Sequence, residues 1–206
     1  MNEQRFSSEA GIAIGPILFV LALLAILAVA MAGGGGDFQV ASSSDRITAD
    51  IIAQANLIRN TINQCNMQYT MAVSSGSVAP TTDPYPTSGG VPVAVSSLTC
   101  TPMGGTAMWG STMVLLPPPT AGFNAWNYID ASSTSGGICA YTSPSSSSPA
   151  GNAGIVGGLT HAASKFNTTT VYSAASEAIY NPASASQKFI IWIALPTGSA
   201  NSNCLP

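Results

Sequence analysis

Ile12-Ala13-Ile14-Gly15-Pro16-Ile17-Leu18-Phe19-Val20-Leu21-Ala22-Leu23-Leu24-Ala25-Ile26-Leu27-Ala28-Val29-Ala30-Met31-Ala32 runs for 21 residues without a charge, a side-chain amide or a hydroxyl, and then meets Gly33-Gly34-Gly35-Gly36. As an α-helix at ~1.5 Å rise per residue the run spans roughly 30 Å, about the hydrocarbon thickness of a bilayer. Residues 1–36 therefore read as an N-terminal hydrophobic, transmembrane helix followed by a glycine hinge. A cleaved secretory signal is the competing reading, since Ala30-Met31-Ala32 has the small-x-small form that precedes a cleavage site. Against it, Arg5 is offset by Glu3 and Glu9, where a secretory signal is positive, and the run exceeds the usual ~7–15 apolar residues. A plain single-pass anchor carrying a folded domain is the other alternative.

Beyond the glycines, Ser42, Ser43, Ser44 and Asp45 are N-cap candidates. Ile47, Ile51, Ile52, Ala55, Leu57, Ile58 and Ile62 then recur at helical spacing, with Arg46, Asp50, Gln54, Arg59 and Asn63 on much of the other side. This predicts an amphipathic helix over 37–66 with one face made for burial. Each interior glycine disfavours helix by roughly 1 kcal/mol relative to alanine, so a hinge or a locally unwound segment is expected at Gly33, Gly34, Gly35 and Gly36. Pro16 removes one backbone donor, which predicts either a kink or a helix that starts near it.

From 67 to 206 short apolar runs are cut by Gly, Pro and Ser, the pattern of strands and loops in a β-rich head domain. Strands are expected at Val91–Leu98, Thr112–Leu116, Ile138–Thr142, Thr169–Ser173 and Lys188–Leu195. The last is apolar on both faces and is placed centrally, with one face on the amphipathic helix. Asp83–Pro86, Pro117–Pro119 and Thr142–Pro149 read as loops.

Only 6% of residues are Asp, Glu, Lys or Arg, and the net charge is −3. A soluble domain carries ~25% charged residues, so this surface is hydroxyl and amide, and the basic patch that dominates nucleic-acid binding is missing. Cys65, Cys100, Cys139 and Cys204 stand far apart with no C-x-x-C pair, and His161 is the one histidine, so neither a zinc site nor another metal or cofactor is expected. Four cysteines behind a membrane-crossing segment suggest two disulfides made in an oxidising compartment. Three pairings are open. Cys65 with Cys100 and Cys139 with Cys204 is the favoured one, because each bridge then ties a terminal element to the sheet.

Catalysis needs a constellation, and beyond position 65 the acids are only Asp83, Asp130 and Glu177. No G-x-S-x-G elbow places a serine against His161, and Gly154–Gly158 lacks the spacing and the lysine of a phosphate loop. No enzymatic activity is expected, and His161 reads as a helix-surface or capping residue.

A hydrophobic N-terminal helix continuing into an amphipathic one, a small antiparallel sheet, and a cysteine almost at the end, Asn203-Cys204-Leu205-Pro206, together resemble the type IV pilin superfamily, most strongly over residues 5–65. The resemblance implies an α+β fold, with a long hydrophobic-then-amphipathic helix packed on a small antiparallel head. It also implies a structural subunit that polymerises through that helix into an extracellular filament at the cell surface. The implied partners are further copies of the chain, the inner membrane that holds the precursor, and a secretion and assembly machinery; any surface or glycan ligand is left unspecified. The helix of this family commonly unwinds at a glycine or proline on assembly, as Gly33–Gly36 would allow. The leader motif differs, because Arg5 sits where glycine belongs, Phe6 and Glu9 are one residue too close, and cleavage after Gly11 would put Pro16 in the place of the usual glutamate. Glu9, at the edge of the apolar run, is the candidate partner for a neighbouring subunit's positive N-terminus, or else a solvated interfacial residue. Ile12, Pro16 and Ala25 belong to the assembly segment. Its many alanines, Ala13, Ala22, Ala25, Ala28, Ala30 and Ala32, permit the close helix approach that bundling requires and a lone anchor does not. A membrane-anchored or secreted binding or adhesin domain acting singly is the alternative.

Overall fold

The computed structural model describes residues 14–80, 83–100, 104–110, 114–145, 152–166, 178–181 and 187–205, with backbone alone at 14, 30–38 and 178–179. Glu9, Ile12, the strand expected at Thr169–Ser173, and Glu177 lie outside the described residues. The chain divides into two units, Met1–Ala41 and Ser42–Pro206, and helix α1, Ile14–Ser74, contributes to both.

In the first unit, Pro16 lies in helical backbone two residues into the described part of α1. Among the described residues no helix is long and apolar enough to cross a membrane. The transmembrane helix expected over 1–36 is therefore not found among them, and residues 1–13 of that span lie outside the described residues. The unwound segment expected at Gly33–Gly36 is not found either, since those residues carry helical backbone. Propensity is a weak prior, and turns on either side of the four glycines continue the same i to i−4 ladder through them.

In the second unit α1 buries the face its periodicity predicts. Ile51, Ala55, Ile58 and Ile62 are completely buried, with Cys65 and Tyr69 extending the line, and each fully buried isoleucine contributes roughly 1.5–3 kcal/mol. Arg46 and Asp50 lie on the solvent side, 3.9 Å apart and largely exposed, a pair of little energetic weight. The helix does not stop near Cys65 but continues to Ser74, because no breaker follows until Gly76. Gly76 adopts φ 73°, and its N–H reaches Val73 O at 3.0 Å while Ser77 N–H reaches Ala72 O at 2.9 Å. That is a Schellman ending, which takes glycine without strain.

The head is α+β. Among the described residues a five-stranded antiparallel sheet has the order β1 (Val93–Ala94), β4 (Asn127–Asp130), β5 (Ile138–Thr142), β7 (Phe189–Ala194), β6 (Ala178–Tyr180), and β2 (Thr99–Cys100) pairs with β3 (Thr106–Ala107) in a separate hairpin. One sheet face, with Tyr128, Ala140, Phe189 and Ile191, packs with the buried line of α1. The opposite face, with Ile129, Cys139, Ile190 and Trp192, packs with Cys204. Period-2 alternation along β7 thus feeds two separate cores, which is why Lys188–Leu195 reads as apolar on both faces. The strand has a neighbour on each side, although β5 is the middle of the five.

Val91–Leu98 yields only β1 before a 3-10 turn at Val95–Ser97, where Ser97 Oγ donates to Ala94 O at 2.8 Å and closes the chain on itself. Of Thr112–Leu116 the described part makes a single bridge, Trp109 with Val114, and the prolines that follow have no N–H to extend a ladder. Helix α2, Ala153–Ser164, departs from the strands and loops expected over 67–206, and only the reading of His161 as a helix-surface or capping residue points to it. Asn152 caps it, its Oδ1 accepting from Gly154 N–H at 3.1 Å and Ile155 N–H at 3.2 Å.

Candidate functional site

Ten large apolar side chains between Ile17 and Val29 stand 48–72% exposed on α1 of the first unit. They surround the helix instead of forming a stripe, and Ala25 and Pro16 are exposed among them. A helix apolar all round is stable only when something apolar covers it. This is the largest unsatisfied surface among the described residues, and it is the segment expected to carry assembly.

The head that follows is locked at several points. Disulfides join Cys65 to Cys100 and Cys139 to Cys204, the pairing favoured from the sequence. The first ties α1 to the β2–β3 hairpin, the second the C-terminal turn to β5. Gln54, buried on α1, accepts from Trp126 Nε1 at 2.7 Å and donates through Nε2 to Pro118 O at 2.9 Å, so one amide fastens both the approach to β4 and the triproline loop. Helix α2 crosses α1 closely: a Cβ on Gly158 would lie 2.7 Å from Ile47 Cγ2 and 3.0 Å from Ser44 O. The one Thr48 hydroxyl proton is shared between Ser44 O at 2.8 Å and Gly158 O at 3.0 Å. The glycines that fail as a phosphate loop serve instead as a Gly154-x-x-x-Gly158 packing face. That spacing was the signal available for α2.

Two of the three acids considered for catalysis come together. Asp130, 4% exposed in β4, accepts at Oδ1 from Ser132 Oγ at 2.6 Å and Ser132 N–H at 3.0 Å. Asp83 accepts from Tyr85 N–H at 3.1 Å, and its Oδ2 lies 3.4 Å from the same Ser132 hydroxyl. Burial and a hydrogen bond with Asp130 push the Asp83 carboxyl up to about 6. Burial, helped by the nearby Asp130 and Asp83 charges, raises the Tyr128 phenol far above its ordinary value. The arrangement is suited to holding a proton. His161 is exposed in the last turn of α2 and Ser164 Oγ donates to its carbonyl, which fits a helix-surface position. Among the described residues no group of three His, Cys, Asp or Glu could hold a metal ion.

On the sheet's other side Lys188 Nζ sits 5.0 Å from the centre of the Tyr141 ring, and burial lowers the lysine's pKa while raising the tyrosine's. A groove of about 150 Å³ lies between α1 and the β2–β3 hairpin, lined by Thr61, Gln64, Gln68, Thr106 and Met108 beside the Cys65–Cys100 bridge. The carboxyl pair and the Gln54 relay were missed because each joins residues distant in sequence. A buried acid in a chain so poor in charge was the available hint for the first.

Comparison with protein-family models, with curated proteins and with solved structures finds no match to this chain.

Proposed function

We propose that this chain is a structural subunit that polymerises through the apolar part of α1 into an extracellular filament of the type IV pilus kind. In the precursor, inner-membrane lipid covers the apolar segment; in the filament, copies of the same segment replace the lipid, and the heads form the outer surface. The observation that carries the reading is the apolar girdle from Ile17 to Val29, exposed on every side of the helix. It is supported by small residues, Ala22, Ala25 and Ala28, spaced to let helices approach closely. A head closed by two disulfides suits an oxidising exterior. Gly33–Gly36, helical in the single chain, are the place where the helix can yield as subunits stack.

Ala25→Arg in the full chain tests this. A charge buried without a partner among neighbouring helices costs several kcal/mol per subunit, so negative-stain microscopy of sheared surface material should show no filaments, while the head keeps both disulfides and its circular dichroism. Normal filaments from that variant would overturn the reading. Wild-type protein found only as membrane-held single copies would favour the anchored binding domain instead.

A further inference from the structure

We propose that Asp83 and Asp130 form a protonation-controlled clasp, which holds segment 83–90 on β4 while the Asp83 carboxyl is protonated and releases it when Asp83 ionises.

The segment is fastened to β4 at four points within a few residues. Tyr128 Oη donates to Pro86 O at 2.7 Å, Asp130 N–H donates to Ser88 Oγ at 2.7 Å, and Gly90 N–H donates to Asp130 O at 2.9 Å. The fourth point is the carboxyl pair itself, bridged by the Ser132 hydroxyl, 2.6 Å from Asp130 Oδ1 and 3.4 Å from Asp83 Oδ2. That hydroxyl has one proton and gives it to Asp130, the nearer acceptor. Asp83 can close on Asp130 only if a carboxyl proton lies between them, because two ionised carboxylates would face each other across a single hydroxyl. The titratable groups facing Asp83 are Asp130 and Tyr128 from β4 and Tyr85 from its own segment. Burial raises the Tyr128 phenol far above its ordinary value, so the proton that moves is the one on Asp83. The raised Asp83 value, about 6, puts the change between mildly acidic and neutral conditions.

Release would not unfold the sheet, because β4 keeps its full ladder to β5. The bonds lost are those of the Asp83–Gly90 segment, and the amides of Gly90 and Asp130 report them. In the full chain in detergent micelles, carbon-13 NMR should show the Asp83 carboxyl titrating near pH 6. Hydrogen exchange at Gly90 and Asp130, corrected for intrinsic pH dependence, should rise at least tenfold between pH 5 and 7.5. Asp83→Asn, which keeps an acceptor and cannot ionise, should flatten that rise, while amides elsewhere in β4 and β5 stay protected in both proteins. An Asp83 carboxyl titrating near 4, or an unchanged rise in Asp83→Asn, would overturn the clasp.

Discussion

Gly158→Ala adds one methyl at the crossing of α2 and α1, and its cost can be worked from neighbouring distances. The new Cβ would stand 2.7 Å from Ile47 Cγ2, 2.8 Å from Ile47 Cβ and 3.0 Å from Ser44 O. The first two are within a β-branched side chain fixed at χ1 and the third is backbone, so none is a flexible tip that can swing aside. Helix α2 must retreat, which stretches the Thr48 Oγ1 bond to Gly158 O, now 3.0 Å. Overpacking of this kind costs about 1–3 kcal/mol and a weakened hydrogen bond about 1, offset by about 1 kcal/mol of helix propensity gained on replacing glycine. The net is about 1–3 kcal/mol of destabilisation. Gly157→Ala is the internal control: its Cβ would meet Ser44 Oγ at 3.0 Å and little else. A serine hydroxyl can rotate, so the propensity gain should leave that variant as stable as the parent or up to about 1 kcal/mol more stable. Urea unfolding followed by far-ultraviolet circular dichroism, at constant m-value, separates the two. If Gly158→Ala were as stable as Gly157→Ala, the close crossing would not exist.

Gln54→Leu should destabilise the head by about 2–4 kcal/mol, because it leaves both Trp126 Nε1 and Pro118 O without their partner; equilibrium unfolding monitored by tryptophan emission reads this, and a loss below about 0.5 kcal/mol would refute the relay. Cys204→Ser opens a loop of 65 residues, for which chain entropy gives about 4 kcal/mol; the variant should unfold at lower denaturant, and alkylation without reductant should find one free thiol in it and none in the parent. The Asp83 carboxyl is higher in the folded chain, about 6, than its ordinary 3.8, so the unfolded chain releases that proton first. Its stabilisation is complete below about pH 4 and is lost as pH rises through 6; discounted for solvent screening it amounts to on the order of 1–2 kcal/mol. Asp83→Asn should remove that slope in chemical denaturation across pH 4–7, and an undiminished slope would show that other groups cause it.

Much of the head was readable wherever one physical rule dominated locally. The spacing of Ile51, Ala55, Ile58 and Ile62 could serve only a helix with one buried face, and that face is completely covered. Ile138–Thr142 and Phe189–Ala194 are β-branched and aromatic enough that pattern and propensity agree. Where the two disagreed the reading failed. Three glycines in Ala153–Ser164 argue against a helix by propensity, yet they are what lets α2 approach Ile47. Asn127-Tyr128-Ile129-Asp130 has polar ends that look like loop, but those ends pair with β1 and β5 and meet Ser88. The change of texture after residue 66 suggests a helix end there, whereas the backbone carries α1 on to Ser74 and turns at Gly76. The carboxyl pair joins positions 47 residues apart, and only a folded chain brings them together. Of the expected assembly segment, the exposed apolar side chains are seen, while Glu9 and Ile12 lie outside the described residues.

The positions of the two disulfides also govern how the head would behave under load. Traction applied between Cys65 and Cys204 passes through each sulfur bridge and bypasses the chain it encloses, leaving only the 38 residues between Cys100 and Cys139 free to pay out. At ~3.4 Å per residue that is roughly 130 Å of slack, where a reduced head would yield roughly 470 Å. A head built this way is a short tether: a pull across it can stretch it by a limited length, after which the force is borne by covalent bonds.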